Sequence, residues 1–261
     1  MSSELTEGKV HYTVQDGIGA IVFDRPQARN AMTWGMYDAL GAICDRIAAD
    51  TTLRAVTLRG AGGAAFIAGT DIEQFRGFSG DDGLAYEARI EARISQVEKL
   101  PVPTIAIIDG WAVGGGLALA AACDFRIATP GAKFSIPIAR TLGNCLSSTN
   151  MARLIAGFGV GRAKRMLMLA EAINAAEALA CGFLLEVAEA DAIDARVAAR
   201  CASLASHAPK TMYAAKECAR RLVANNLPGD EDLIRDCYGS RDFQIGIEAF
   251  LAKQKPAWTG T

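Results

Sequence analysis

A predicted strand that runs into three consecutive glycines, and then into an alanine- and leucine-rich segment, constrains this chain more than any other feature. The apolar run Thr104–Ile108 predicts a buried strand, glycines fill positions 114–116, and residues 117–122 strongly favour helix. The first N–H groups of a helix lack internal acceptors, and glycine lets a ligand oxygen approach them. The stretch predicts either a helix N-terminus that binds an anion or oxyanion, or glycines that only permit close helix packing.

The length, charge and composition of the chain exclude several classes of protein. With 261 residues, 51% of them hydrophobic, the chain can bury a substantial core. A net charge of −2 without a basic stripe argues against nucleic-acid binding, and no apolar run reaches the roughly 18 residues of a membrane span. The polar N-terminus and seven cysteines without CxxC spacing predict a cytoplasmic protein with reduced thiols. The two histidines, His11 and His207, lack neighbouring ligands, so we expect no metal.

The N-terminal half alternates predicted strands with predicted helices. Asp16-Gly17 separates two β-rich runs and indicates a hairpin, and Thr33 is placed to cap the first helix. Gly-rich segments at 60–68 and 77–83 predict loops, and Asp71 can cap a short helix between them. The predicted strands are 10–14, 18–23, 53–59 and 104–108, and the predicted helices are 34–50, 72–75 and 84–99.

The C-terminal half is predicted to be almost wholly helical. Residues 125–128 and 133–136 are the last long extended segments, residues 138–147 form an irregular loop, and 183–187 is a brief strand. Strand, glycine-rich loop and helix recur at 53–76 and 104–122. We therefore expect an α/β core over residues 1–200 and a helical region over 201–261 that is not an independent domain. The predicted late helices are 190–206, 209–224, 230–238 and 241–253.

Five motifs along nearly the whole chain resemble those of the crotonase superfamily, the enoyl-CoA hydratase/isomerase group. They lie in the same order as in that superfamily, and their order is more specific than any one motif. The motifs are Arg25-Pro26-x-x-x-Asn30-Ala31, the run from Ala65 to Ile72, the run from Asp109 to Gly116, the run from Cys123 to Ala128, and Ala249-Phe250-x-x-Lys253-x-Lys255-Pro256-x-Trp258.

The resemblance implies a spiral of repeated β-β-α units, as in the ClpP/crotonase fold, with a C-terminal helical trimerisation region. It implies a homotrimer or a dimer of trimers, and an acyl-CoA substrate that brings coenzyme A with it, without a further cofactor. The backbone N–H groups of Thr70 and Gly115 would hold the thioester oxygen of an enolate. The residues that would contact the substrate or its CoA moiety are Ala28, Arg29, Ala68, Thr70, Asp71, Ile72, Glu73, Gly115, Arg140, Phe250 and Lys253.

The sequence departs from this superfamily where a hydratase carries its two catalytic glutamates. One glutamate would stand three residues after the oxyanion glycine, where this chain has Ala118, and the other after a proline, where it has Ile138. Neither side chain can transfer a proton.

Replacements for these groups would come from the altered loop that follows Pro137. Cys145, near a helix N-terminus, is either a thiol of lowered pKa that acts as nucleophile or base, or an inert core residue. Asn144 either binds water or substrate or forms a turn, and Ser148 either takes part in the reaction or caps the next helix. Arg140 either pairs with a substrate carboxylate or faces solvent.

Three functions follow from this combination of motifs. The chain is expected to be a lyase or isomerase of acyl-CoA thioesters in fatty acid metabolism. Because both glutamates are absent, an isomerisation, decarboxylation or thioester hydrolysis fits better than standard hydration. The alternatives are a hydratase with displaced acid and base groups, and a catalytically silent acyl-CoA-binding protein.

Overall fold

Ten strands form two sheets in the computed structural model, which describes residues 7–225, 227 and 229–261. The strands are β1 Lys9–Gln15, β2 Ile18–Asp24, β3 Ala55–Gly60, β4 Ala65–Ala68, β5 Thr104–Ile108, β6 Trp111–Val113, β7 Phe125–Ala128, β8 Lys133–Ser135, β9 Ile173–Asn174 and β10 Glu186–Val187. The larger sheet has the order β1-β2-β3-β5-β7-β10, and the smaller one β4-β6-β8-β9. The outer pairs β1/β2 and β8/β9 are antiparallel, and the other pairs are parallel.

Eleven α-helices are found within the described residues. They are α1 Trp34–Ala49, α2 Gly80–Glu98, α3 Gly115–Ala122, α4 Ile138–Thr141, α5 Ser148–Phe158, α6 Val160–Met168, α7 Ala175–Ala180, α8 Ile193–Ala205, α9 Pro209–Val223, α10 Glu231–Gly239 and α11 Arg241–Leu251. Two 3₁₀ turns, Pro26–Ala28 and Ile72–Phe75, complete the set. Thr33 caps α1, and Asp71 caps the second 3₁₀ turn, as the sequence predicts.

The chain climbs through the two sheets as a spiral of β-β-α units. In each unit the first strand joins the larger sheet, the second joins the smaller sheet, and a helix follows: β3-β4-α2, β5-β6-α3 and β7-β8-α4. β5 is buried at every residue, because it lies in the middle of a parallel sheet that is covered on both faces. This arrangement confirms the predicted α/β spiral.

Several predicted boundaries are wrong. Residues 60–68 and the segment after Gly110 are not only loops, since they contain β4 and β6; each of these strands has four residues or fewer, too short for an alternating pattern. α4 occupies part of the predicted loop 138–147, and the strand at 183–187 shrinks to β10. Ser147, not Ser148, caps α5, since its side chain accepts the N–H of Asn150.

The helix α2 begins four residues earlier than predicted, within the glycine-rich segment 77–83. Ser79 and Asp82 form a reciprocal capping box at its start. Position 83, inside this helix, requires glycine because a Cβ atom there would come within 2.3 Å of the Tyr238 ring. Gly80, whose Cβ atom would come within 2.6 Å of the Arg235 carbonyl oxygen, and Gly83 therefore serve close packing between α2 and α10.

The C-terminal helices are tied to the spiral by packing and by charge. α10 packs along α2, and α11 packs on the 3₁₀ turn Ile72–Phe75. Lys216 of α9 pairs with Asp124 at 2.7 Å, and the same carboxylate accepts the N–H of Thr104 at the start of β5. The predicted division at residue 200 falls within α8, and it stays a prediction.

Among the described residues, no helix is long and apolar enough to cross a membrane. The same part of the chain has no group of three or more His, Cys, Asp or Glu side chains placed to hold a metal ion.

Candidate active site

Thr70 and Gly115 come together because they follow two neighbouring parallel strands. β4 and β6 pair at Ala68 and Val113, and each strand is followed by a glycine of positive φ, Gly69 at 90° and Gly114 at 53°. A Cβ atom on Gly115 would lie 3.5 Å from Thr70 Oγ1. In the described part of the chain, neither the Thr70 N–H nor the Gly115 N–H donates a hydrogen bond. Two free backbone donors therefore lie at the start of α3, where the helix dipole favours negative charge.

Each of the three consecutive glycines, at positions 114–116, occupies its position for a different reason. Gly114 requires its positive φ, a conformation that side chains rarely adopt. A Cβ atom on Gly116 would come within 2.2 Å of the Ile67 carbonyl oxygen, so Gly116 lets α3 pack against β4. Gly115 faces side-chain hydroxyls instead, since its Cβ atom would lie 3.0 Å from Tyr37 Oη. The packing explanation therefore accounts for Gly116, and the predicted ligand contact remains available to Gly115.

A cluster of three hydroxyl groups lies beside these two residues. Tyr37 Oη and Tyr86 Oη each lie 2.9 Å from Thr70 Oγ1, and all three residues are buried. Burial raises the pKa of Tyr37 to about 12 and that of Tyr86 well above its usual value. Both phenols therefore stay protonated. No sequence pattern indicates this cluster, because Tyr37 and Tyr86 occupy ordinary buried positions of α1 and α2.

Glu87, which the sequence reasoning missed, is a buried carboxyl group with a relative exposure of 5%. The Tyr238 hydroxyl donates to Glu87 Oε1 at 2.7 Å, and Asn144 Nδ2 donates to Tyr238 Oη at 3.1 Å. Burial raises the pKa of Glu87 to about 7, although hydrogen bonds from Tyr238 and the Ser147 N–H lower it in part. A carboxyl group of this pKa can accept or donate a proton near neutral pH.

We expect Glu87→Gln to change the pH dependence of stability. Because the pKa of Glu87 is raised from 4.5 to about 7 on folding, the native state binds the extra proton, and this stabilisation is lost as pH rises from about 4.5 through 7. The loss amounts to about 3 kcal/mol, at 1.36 kcal/mol per pKa unit. The glutamine variant should therefore gain stability relative to the parent chain between pH 4.5 and 8.

Urea unfolding at several pH values measures this difference. Glu189→Gln, at an exposed carboxyl group, is the matched control and should track the parent chain. A difference between Glu87→Gln and the parent chain that does not vary with pH would contradict the prediction.

The two positions of the expected glutamates carry no titratable group. Ala118 is fully buried in α3, one turn after Gly115. Ile138 is the first residue of α4 and packs against the hydrophobic core.

The altered loop contributes a different chemistry from the one expected. Contact with Cys237 and burial raise the pKa of the Cys145 thiol, and the same contact lowers the pKa of Cys237. This contradicts a lowered pKa at Cys145, the first of the two alternatives for this residue. Its Sγ donates weakly to the Leu233 carbonyl oxygen at 3.7 Å. Asn144 Oδ1 is buried and has no hydrogen-bond partner among the described residues. Asn144 therefore keeps one acceptor available, and Cys145 is a protonated thiol.

The segments predicted to bind CoA meet at one place. The Arg29 carbonyl oxygen accepts the Ala68 N–H at 3.0 Å, which joins the pair Ala28-Arg29 to the end of β4. Asp71 pairs with Arg25 at 2.8 Å and caps the turn that contains Ile72 and Glu73. The fully buried Asn30 donates to the carbonyl oxygens of Ala61 and Ala65 and thereby fixes this loop.

The other predicted contacts lie elsewhere on the surface. Phe250 is 48% exposed near the end of α11, and Lys253 follows that helix with an exposed side chain. Arg140 is exposed on α4 and lines a cleft of about 470 Å³ with Trp111 and Glu171. Their roles stay predictions.

The enoyl-CoA hydratase/isomerase family model matches residues 13–261 of this chain. The chain belongs to the enoyl-CoA hydratase/isomerase family. It is 32% identical over 256 residues to an enoyl-CoA isomerase/hydratase of Mycosarcoma maydis, with 94% of this chain and 93% of that protein covered. It is 30% identical over 248 residues to a crotonyl-CoA hydratase of Syntrophomonas wolfei, with coverage of 92% and 94%.

Solved structures of this family share the whole architecture. A methylmalonyl-CoA decarboxylase complexed with 2S-carboxypropyl CoA superposes with a TM-score of 0.89 at 25% identity, and all of both chains is covered. An enoyl-CoA hydratase/carnithine racemase from Magnetospirillum magneticum superposes with a TM-score of 0.78 at 32% identity, over 97% of this chain and 96% of that one. The crotonase resemblance inferred from the five motifs is thus confirmed.

Proposed function

We propose that this chain is an enzyme that binds an acyl-CoA thioester and stabilises its enolate between the N–H groups of Thr70 and Gly115. The observation that carries the proposal is the adjacency of these two unengaged donors at the N-terminus of α3. Two donors aimed at one oxygen stabilise the charge that develops on a thioester during enolate formation. Coenzyme A enters as part of the substrate, and we propose no further cofactor or metal.

The reaction we favour is decarboxylation of an acyl-CoA that carries a carboxylate on the carbon next to the thioester. Loss of CO₂ breaks the carbon–carbon bond and leaves its electron pair in the enolate, so no base is needed to form it. A proton then adds to the same carbon. This sequence suits a site with hydrophobic residues at positions 118 and 138 and with protonated phenols nearby. Solved methylmalonyl-CoA decarboxylases superpose on this chain with TM-scores of 0.85 to 0.89.

A second candidate, a hydratase with displaced acid and base groups, is favoured by Glu87. Its buried carboxyl group has a pKa of about 7 and is oriented by Tyr238, which are the properties of a general acid or base. The relatives named as hydratases support this candidate. In this reaction Glu87 would move the proton that the glutamates move in other hydratases.

Binding and turnover assays separate these candidates. Short acyl-CoA thioesters at about 100 times their Kd should raise the free energy of unfolding by about 2.7 kcal/mol. Release of CO₂ from a malonyl-type CoA thioester supports decarboxylation, whereas hydration of crotonyl-CoA that is lost in Glu87→Gln supports the second candidate. Binding without turnover would indicate a silent acyl-CoA-binding protein, and the absence of binding would refute the proposal.

The assembly and compartment of the protein complete the proposal. We expect a homotrimer or a dimer of trimers built with the C-terminal helices, which light scattering would distinguish. The cytoplasm is the compartment we propose, since all seven cysteines are free thiols.

A further inference from the structure

The hydroxyl cluster beside Gly115 has one more proton than its internal hydrogen bonds use. Tyr37, Thr70 and Tyr86 bring three hydroxyl protons, and the cluster contains two oxygen–oxygen contacts, each of 2.9 Å. The Tyr86 hydroxyl donates to Thr70 Oγ1. Either Tyr37 or Thr70 donates in the other contact, so the remaining one of these two keeps a proton for a further acceptor.

Of the three hydroxyl groups, that of Tyr37 lies nearest to the Cβ position of Gly115. A Cβ atom on Gly115 would lie 3.0 Å from Tyr37 Oη. A Cβ atom is about 2.5 Å from its own backbone nitrogen, so Tyr37 Oη lies within about 5.5 Å of the Gly115 nitrogen. One oxygen atom can accept from both groups, because each hydrogen bond spans about 2.7–3 Å.

We infer that Tyr37 is a third donor to the thioester oxygen and that it completes an oxyanion site with the N–H groups of Thr70 and Gly115. In this arrangement Tyr86 donates to Thr70, Thr70 donates to Tyr37, and Tyr37 donates to the ligand. An anionic oxygen selects this orientation, because a charged acceptor attracts the last proton more strongly than the neutral hydroxyls of the cluster do. The inference rests on the proposed function, since it assigns a further residue to the same site.

Burial supports this role for Tyr37. The phenol is almost fully buried, and its raised pKa keeps the proton on the oxygen throughout the working pH range. A hydrogen bond from such a donor to an anion is stronger than one between neutral partners. Tyr86 has the same side chain and the same partner, Thr70 Oγ1, but it does not come within 4 Å of the Cβ position of Gly115. Tyr86→Phe is therefore a matched comparison for Tyr37→Phe.

The test measures the preference for an anionic analogue over a neutral thioester. 2-Nitronate-propionyl-CoA, bound in a structure of methylmalonyl-CoA decarboxylase, is an anion whose charge is shared between its nitronate oxygens and its thioester oxygen, as the charge of an enolate is shared with the thioester oxygen. We expect the parent chain to bind this nitronate more tightly than propionyl-CoA. Tyr37→Phe should reduce the ratio of the two affinities by about tenfold or more, and Tyr86→Phe by no more than about threefold. Isothermal titration at pH 8 gives both affinities, and thermal unfolding checks that each variant folds.

The outcomes distinguish the inference from the proposed function. An unchanged ratio in Tyr37→Phe, or equal losses in both variants, would overturn the role of Tyr37 and leave the acyl-CoA function standing. Failure of the parent chain to bind either compound would overturn both. A crystal structure of the parent chain with the nitronate is independent of variant folding. Tyr37 Oη within about 3.2 Å of the thioester oxygen supports the inference, and a separation beyond about 3.5 Å refutes it.

Discussion

Replacing Gly115 by proline is expected to lower kcat for the acyl-CoA substrate by two to three orders of magnitude. Gly115 is the first residue of α3, a position where proline is compatible with the helix and where no intrahelical hydrogen bond is lost. Proline removes the N–H, and one such donor is worth about 3 kcal/mol of transition-state stabilisation. The measurement is turnover, at saturating concentration, of whichever thioester the CO₂-release or crotonyl-CoA hydration assay shows to be a substrate.

Gly115→Ala is the matched control for this prediction. Alanine also introduces a Cβ atom, 3.0 Å from Tyr37 Oη, but it retains the N–H. Its loss of kcat should therefore be clearly smaller than that of Gly115→Pro, while thermal unfolding of the two variants should be similar. Equal losses of kcat in both variants would indicate that space at Gly115, and not its N–H, is what the reaction requires.

Replacing Arg153 by methionine is expected to destabilise the protein by about 3–5 kcal/mol, the cost of removing one partner of a buried ion pair. The Arg153 side chain is 3% exposed and pairs with Glu91 and Glu98, each at 2.7 Å. These contacts join α5 to α2. Without the guanidinium, both partly buried carboxylates lose the ion pair that compensates for their burial.

The free energy of unfolding in urea measures the effect of Arg153→Met. Arg221→Met is the control, because Arg221 pairs with Glu217 at the same distance of 2.7 Å but its side chain is 73% exposed. It should leave stability almost unchanged, since exposed pairs contribute little. Similar destabilisation in the two variants would show that burial is not the source of the Arg153 effect.

Local patterns predicted the parts of the fold that depend on neighbouring residues. The hairpin at Asp16-Gly17, the cap at Thr33 and the strand β5 follow from turn chemistry, side-chain capping and apolar runs. β4 and β6 escaped prediction because strands this short contain too few residues for a periodic pattern. The start of α2 escaped because glycine marks both loops and close helix contacts, and only the position of Tyr238 decides between them at Gly83.

Half of the candidate site follows from the sequence in the same way. The motifs around Thr70 and Gly115 indicated two backbone donors, and a sequence reading is sufficient to show that positions 118 and 138 carry no carboxylate. The place of Cys145 near a helix start suggested a thiol of lowered pKa as one of two alternatives. Burial and Cys237 raise its pKa instead. The pKa of a thiol depends on its surroundings, which local sequence does not specify.

By itself, the sequence determined the family, the strand–glycine–helix segment at 104–122 and the loss of both usual glutamates, because these are properties of single residues and of short segments. Only the tertiary structure decided which polar side chains meet there. Tyr37 and Tyr86 reach Thr70 from two different helices, and Tyr238 reaches Glu87 across 151 residues of chain. Such contacts depend on how α1, α2 and α10 pack, and the raised pKa values of these groups depend on the burial that this packing creates.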